Sequence, residues 1–320
     1  MNCLCCGKPI AGTGNGSRWH PACIRKFFGI DTLPELDVSE KTLTRIASEN
    51  TRKGYTVPGV QKKMCLHLSR EGNIPCLTLV DYPTGYILKP QTDTYPALPE
   101  AEHLIMSMAR KTGIATVPFA LMCVGDRYAY ITKRIDRSLP TRANPTAQML
   151  AMEDFCQLEY RLTEDKYRGS YERCAKIVSK FSQRPGLDLS ELFLRVVFSY
   201  AVGNSDMHLK NFSLIETAPL SGKYVLSEAY DMLPVNIVIP NDPEELALAL
   251  NGKKRNIRRR DFLVFARNAG ISEAAGEKMI RKVASMRDLY LEMCDASDLP
   301  EEWKESLAEL IQRRTEILTG

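Results

Sequence analysis

Asn204-Ser205-Asp206-Met207-His208-Leu209-Lys210-Asn211, followed by Phe212 and Leu214, is the stretch on which the reading of this chain turns. Upstream, Leu192, Phe193, Val196, Val197, Tyr200 and Ala201 recur at the spacing that lines apolar side chains along one helix face. Asp188 and Glu191 suit a capping box at the start of that helix, and Gly203 suits its end. The loop therefore leaves the end of a helix, and it gathers a carboxylate, an imidazole, an ammonium and a carboxamide into one short span.

Asp206 and Asn211 keep a D-x-x-x-x-N spacing. In phosphoryl transfer an aspartate so placed accepts or orients the proton of an attacking hydroxyl, and the asparagine oxygen reaches a metal. Lys210, between them, suits neutralisation of charge on a phosphoryl group in flight. A strand-like Tyr224–Leu226 follows, then Tyr230-Asp231-Met232. Asp231 supplies a second hard oxygen for magnesium, which keeps several waters and needs few protein ligands. Aspartate and asparagine are common loop formers, so each residue alone carries little. The order of the pieces carries the reading.

The earlier half of the chain supplies the other pieces. Ser39 suits the N-cap of a helix over 39–50. Pro58-Gly59-Val60-Gln61-Lys62-Lys63 is a basic, glycine-bearing loop that leads into the alternating Met64, Leu66 and Leu68, and such loops lay amides and lysine charge on phosphates. Strands are expected at 74–80 and at Tyr86–Lys89, with Lys89 ending an apolar run. A helix over 100–112 stops at Gly113. Glu102 near its start is placed to pair with Lys89, and Glu100 is the competing partner. Val117–Val124 and Arg127–Ile135 flank Gly125-Asp126 as a hairpin.

Residues 3–23 hold a C-x-x-C, Cys3 and Cys6, and an H-x-x-C, His20 and Cys23. Two such half-sites joined by a short loop build a tetrahedral zinc site. Cys5 is a spare that can replace Cys3 or Cys6 in the ligand set. A segment this short buries too little apolar surface to fold alone, and a structural zinc supplies the missing stability.

Composition sets outer limits. Hydrophobic residues make up 44% of 320 and charged residues 26%, which suits a sizeable core. No apolar run approaches the roughly 18–20 residues that span a bilayer. The start of the chain lacks a signal pattern, so a cytoplasmic location and reduced thiols are expected. The six cysteines outside the zinc segment, at 65, 76, 123, 156, 174 and 294, are expected as core residues. A net charge of +4 is too mild to name nucleic acid as a partner, although Lys253, Lys254, Arg255, Arg258, Arg259 and Arg260 form a basic run that reads as a loop entering a helix.

With these pieces in order, the sequence resembles the HipA-like serine/threonine kinases, the toxin components of bacterial toxin–antitoxin systems. The likeness rests on Thr56 through Lys63, Ile87-Leu88-Lys89-Pro90, Lys133-Arg134-Ile135-Asp136-Arg137, Asn204 through Ser213 and Tyr230-Asp231. It implies an α+β, two-lobed protein-kinase-like fold. The expected division is a zinc-binding segment at 1–30, a β-rich N-lobe at 31–137 and a mostly helical C-lobe at 138–320. The resemblance implies ATP and magnesium as cofactors, with Pro58, Gly59, Val60, Gln61, Lys62 and Lys63 over the phosphates and Lys89 holding them. Lys133, Arg134 and Ile135 become the hinge beside adenine. Asp206 becomes the base, with His208, Asn211, Tyr230 and Asp231 at the nucleotide and its metal. Thr56 stands where relatives carry an autophosphorylated serine. The implied substrate is a protein, in relatives including aminoacyl-tRNA synthetases. The implied partners are a helix-turn-helix antitoxin, through which any contact with nucleic acid would run, and a small HipS-like protein in place of the N-terminal subdomain that compact members lack. Two rivals share parts of the pattern: a small-molecule kinase of the antibiotic phosphotransferase type, and a zinc-containing nucleic-acid-binding module without catalysis.

Overall fold

The computed structural model describes residues 1–10, 18–36, 63–69, 75–78, 84–138 and 148–320. The helix expected over 39–50, Thr56 and the loop from Pro58 to Lys62 lie outside these residues. The chain divides into two units, Met1–His103 with Val117–Met149, and Leu104–Thr116 with Leu150–Gly320. This division differs from the expected one in three places, the first being Leu104–Thr116, which belongs to the expected N-lobe but falls in the second unit. The first unit continues past residue 137 because β7 (Arg137–Ser138) pairs with β8 (Gln148–Met149). Residues 1–30 are also part of it rather than a separate module.

The first unit is built on a six-stranded sheet in the order β1-β3-β2-β4-β6-β5. Its strands are β1 (Glu35–Leu36), β2 (Met64–Ser69), β3 (Cys76–Thr78), β4 (Tyr86–Pro90), β5 (Phe119–Val124) and β6 (Arg127–Lys133). All neighbours are antiparallel except β1 with β3. Alternation places Met64, Leu66 and Leu68 of β2 in the core and leaves Cys65 exposed. Cys123, near the end of β5, is exposed and Cys76 is half-buried, so of the six cysteines expected in the core only Cys156, Cys174 and Cys294 are buried. β5 begins at Phe119 rather than Val117 because Pro118 has no N–H for the ladder; its carbonyl instead accepts from the Lys133 amide at 2.9 Å. Helix α1 (Pro21–Phe28) brings Phe27 and Phe28 against Trp19 and against Tyr86 of β4. The Leu4 carbonyl accepts from the Leu121 amide of β5 at 2.9 Å. Helix α2 (Leu98–Thr112) starts two residues earlier than expected.

The second unit carries a three-stranded antiparallel sheet, β11-β10-β9, from β9 (Met152–Asp154), β10 (Ser213–Glu216) and β11 (Tyr224–Leu226). Helices supply the rest: α3 (Phe155–Leu158), α4 (Tyr171–Phe181), α5 (Pro185–Ala201), α6 (Val235–Val238), α7 (Arg259–Asn268), α8 (Glu273–Ser285), α9 (Arg287–Asp295) and α10 (Glu301–Thr319). The buried α5 is central to the core, with Leu192, Phe193, Val196, Val197, Phe198, Tyr200 and Ala201 all removed from solvent.

The start of α5 corrects the capping-box expectation. Pro185 occupies the first turn and Arg184 the N-cap, so Asp188 and Glu191 lie inside the helix. Asp188 is buried and accepts from Ser182 Oγ at 2.6 Å, Arg184 Nε at 3.0 Å and the Leu226 amide at 2.7 Å. One carboxylate thus fastens the first turn of α5 to β11, and it is satisfied as a buried charge must be. Glu191 accepts from Arg195 Nε at 3.0 Å and the Ala115 amide at 3.1 Å. At the other end Gly203 takes φ 75°, and a Cβ there would stand 3.2 Å from Leu310 of α10. Conformation and space both demand glycine where the chain leaves the helix for the quoted loop.

Three members of the basic run are internally neutralised: Lys253 on Asp261 at 2.7 Å, Lys254 on Glu244 at 3.1 Å and Arg259 on Glu277 at 3.0 Å. The run enters α7, as the sequence suggests. Among the described residues, no helix is long and apolar enough to cross a membrane.

Candidate active site and metal cluster

In the first unit β4 and α2 bring a lysine and a glutamate together in the core. Lys89 Nζ stands 2.5 Å from Glu102 Oε1, with Lys89 only 3% exposed and Glu102 0%. The ammonium also lies 5.2 Å from the centroid of the Tyr130 ring, whose residue is the β6 partner of Lys89 and so shares its face of the sheet. The choice left open between Glu100 and Glu102 is settled by the helix: Glu102 shares the buried face with Met106 and Ala109. Lys133 ends β6, where burial lowers its pKa. The Arg134 amide bonds to the Gly85 carbonyl at 2.8 Å, and its guanidinium holds Asp136 through Nε at 2.9 Å and Nη2 at 2.7 Å. Ile135 follows on the turn beyond β6.

In the second unit the loop after α5 is knitted into a single object. The Asn211 carboxamide donates from Nδ2 to the Asp206 carbonyl at 2.8 Å, and the His208 amide returns to the same carbonyl at 2.8 Å. Asn211 is buried, and its oxygen, the other arm of the planar carboxamide, is a hard ligand atom. The Asp206 amide bonds to Asn204 Oδ1 at 3.3 Å, and Asp206 Oδ1 lies 3.8 Å from His208 Nε2. Asp231 adopts a left-handed φ of 60°, which a non-glycine residue takes at a cost. Beside it the Tyr230 hydroxyl meets Ser213 Oγ at 2.5 Å and donates to the Lys210 carbonyl at 3.2 Å. Burial pushes the Tyr230 phenol up, with the Asp154 and Asp231 carboxylates adding to it.

Three residues of this neighbourhood were not singled out from the sequence. Lys210 Nζ is held by Asp154 Oδ2 at 2.6 Å, so its charge is anchored rather than loose. Asp154 also caps α3 in a capping box with Gln157, a D-x-x-Q spacing that was legible in principle. Tyr167 donates its hydroxyl to Asp206 Oδ1. Burial raises the pKa of that phenol, and Asp206, Asp242 and Asp231 raise it further, so it stays protonated and donates. Asp242 accepts from Ser205 Oγ at 2.7 Å. No local pattern marks Tyr167 or Asp242, since the fold alone brings them to the loop.

The N-terminal cysteines form the other cluster. Cys3, Cys6, His20 and Cys23 bring their ligand atoms within 4.8 Å of one another. Gly7 takes φ 70° and returns its amide to the Cys3 carbonyl at 2.8 Å, folding the first half-site. His20 is the N-cap of α1 and Cys23 lies one turn on, so the second half-site is a helix start. His20 Nε2 faces the Pro9 carbonyl at 3.1 Å. A carbonyl only accepts, so Nε2 carries the hydrogen and Nδ1 turns its lone pair to Cys6 Sγ at 3.4 Å and Cys23 Sγ at 3.9 Å. Burial raises the Cys3 thiol, but backbone amides of His20, Cys5 and Cys6 outweigh it and bring it down to about 7. Burial and then the neighbouring thiols push Cys23 the other way. Sulfurs this close cannot all ionise without a cation among them, and three sulfurs with one nitrogen suit zinc. Cys5 stands outside the set.

Comparison with known proteins adds the family. The model of the HipA-like C-terminal domain matches residues 55–289. The chain belongs to the HipA-like C-terminal domain family. A Haemophilus influenzae protein named "Putative kinase" is 24% identical over 307 residues, covering 89% of this chain and 88% of that protein. "Putative kinase Y4mE" of Sinorhizobium fredii is 26% identical over 262 residues, and the match spans 74% of this chain and 59% of that protein. Among solved structures, HipA of the Shewanella oneidensis HipA–HipB–operator DNA complex superposes with a TM-score of 0.69 at 18% identity, over 97% of this chain and 81% of that one. The Helicobacter pylori proinflammatory kinase CtkA gives 0.54 at 15% identity, over 80% and 94%. The fold is accordingly the α+β, kinase-like fold of HipA. The Lys89–Glu102 pair and the residues from Asn204 to Asp231 lie within the matched HipA-like stretch, whereas the cysteine cluster precedes it.

Proposed function

We propose that this HipA-like protein is an ATP- and magnesium-dependent serine/threonine protein kinase. The observation that carries the reading is the loop in which Asn211 is bonded to Asp206 while Tyr167, His208 and Asn204 surround the same aspartate. In this reading Asp206 takes the proton of an acceptor hydroxyl as its oxygen bonds to the γ-phosphorus and the bond to ADP breaks. Asn211 and Asp231 offer the hard oxygens that magnesium prefers, and the ion when bound neutralises charge on the phosphates. Lys210, steadied by Asp154, adds positive charge beside the reacting group. Lys89, oriented by Glu102, and residues 58–63 bind the phosphates. His208 and Tyr230 shape the nucleotide pocket, and Lys133 to Ile135 serve as the hinge. Thr56 is the candidate autophosphorylation site. The substrate would be a protein such as an aminoacyl-tRNA synthetase, with a helix-turn-helix antitoxin and a small HipS-like protein as partners.

The test is incubation of the purified protein with magnesium and labelled ATP, alone and with cell lysate. Label should appear on protein hydroxyls and should fall by about 10²-fold or more in Asp231→Asn, since a metal-holding carboxylate supplies several kcal/mol of charge stabilisation. Label on a small molecule and never on protein would favour the phosphotransferase rival.

Cys3, Cys6, His20 and Cys23 would hold a structural zinc, because four protein ligands leave no position for a reacting water. Cys23→Ser should lose one equivalent of zinc by elemental analysis and lower the melting temperature. Its transfer rate, measured below that temperature, should stay within about 3-fold of wild type, as expected for a site that supplies folding energy rather than chemistry. Zinc-free wild-type protein of unchanged stability would contradict the assignment.

A further inference from the structure

The segment between α3 and α4 brings a phenol to Asp206 that the proposed reaction does not use. The Tyr167 hydroxyl donates to Asp206 Oδ1, and its ring meets the His208 imidazole edge-on, with centroids 5.0 Å apart and planes at 80°. The backbone around it is fastened to the catalytic loop on both sides. The Leu209 amide donates to the Lys166 carbonyl at 3.2 Å, and the Tyr171 hydroxyl donates to the Met207 carbonyl at 3.1 Å. The segment is also tied to itself, by the Arg168 amide on the Asp165 carbonyl at 2.8 Å and by the Arg161 guanidinium on the Arg168 carbonyl. Yet Tyr167 remains 41% exposed. Rotation about its own side-chain bonds can withdraw the hydroxyl while the backbone stays in place.

A kinase aspartate receives one hydroxyl from its acceptor during transfer. A phenol, like a serine or threonine hydroxyl, offers a carboxylate one O–H donor. We propose that Tyr167 occupies the acceptor subsite: its hydroxyl stands at Asp206 where the phosphate-receiving hydroxyl binds, and an incoming protein acceptor displaces it. The proposal rests on the kinase reading above and deepens it. An internal occupant competes at high effective concentration, so an acceptor needs further contacts of its own to take its place. Water has none, so ATP is protected from hydrolysis until a protein arrives. In the limiting case the occupant itself reacts: the phenol oxygen bonds to the γ-phosphorus, its proton passes to Asp206, and ADP leaves with the electrons of the broken P–O bond.

The experiment measures ADP and phosphate release from magnesium ATP by the full chain, without added protein, in wild type, Tyr167→Phe and Tyr167→Phe with Asp206→Asn. Phenylalanine keeps the ring against His208 and removes only the hydroxyl. Hydrolysis should rise by about 10-fold in Tyr167→Phe, the worth of a hydrogen bond to a charged group, and the rise should vanish with Asp206→Asn. Phosphate mapped to Tyr167 in wild type but not in Asp206→Asn would support the proposal equally. Unchanged or slower hydrolysis in Tyr167→Phe, with no phosphate on Tyr167 in a wild type that labels lysate proteins, would overturn it and make the phenol a mere support for Asp206. A wild type that labels no hydroxyl at all would remove the kinase reading, and this inference with it.

Discussion

Asp206→Asn should lose about 10²–10⁴-fold of its phosphoryl-transfer rate, the range for a removed general base, with little change in stability. The side chain of Asp206 is 33% exposed, so neutralising it uncovers no buried charge. Asparagine keeps the shape and can still accept from Tyr167, and the bonds that fold the loop use the Asp206 backbone carbonyl, which the substitution leaves alone. Initial rates of label transfer and a thermal melt on the same preparation check both halves. A variant that melts like wild type and transfers at the wild-type rate would place the base elsewhere. Asp154 and Asp242, both within the same neighbourhood, would then be next.

Glu102→Leu should cost about 3–5 kcal/mol of stability, the usual penalty for leaving one member of a buried ion pair without the other. The pair is short and almost wholly removed from water, so solvent cannot screen the Lys89 ammonium once the carboxylate is gone. The double variant Lys89→Met with Glu102→Leu should recover most of that loss, since two apolar side chains of similar volume replace two buried charges. It should not recover transfer. Urea unfolding of the three proteins reads the stability, and labelled ATP reads the chemistry. If the double variant regained both, the pair would be only structural. If Glu102→Leu unfolded like wild type, its burial would not carry the energy assigned to it.

How much the sequence disclosed follows the range over which each feature is encoded. Asp206 and Asn211 are close neighbours along the chain, and the bond between them could be anticipated from spacing. Lys89 and Glu102 lie on a strand and the next helix, so their meeting could be anticipated, but choosing Glu102 over Glu100 needed the buried face of α2. The cysteine pairs and their histidine were legible because a metal imposes ligand types and spacings. Asp188 misled because a carboxylate three residues before a glutamate imitates a cap. Pro185, with its fixed φ, was the better marker of where α5 begins. Tyr167, Asp154 and Asp242 stand 39, 56 and 37 positions from the loop residues they bind, and no periodicity reaches that far. The exposed Cys65 shows that strand alternation overrides the general preference of cysteine for the interior.

The bond from the Leu121 amide to the Leu4 carbonyl bears on solubility. Among the described residues, β5 is the outermost strand on its side of the six-stranded sheet. The outer row of amides and carbonyls on such a strand can template pairing with another chain, and proteins protect themselves by capping it. Here part of the cap is the cysteine-bearing segment, whose Cys3 and Leu4 are buried while Leu4 engages β5. If the cluster holds the proposed zinc, removing it would then uncover a pairing edge. Chelated protein should self-associate through β5 before it loses its helices, so the cysteines would serve the cell as a guard against aggregation as much as a brace for the fold.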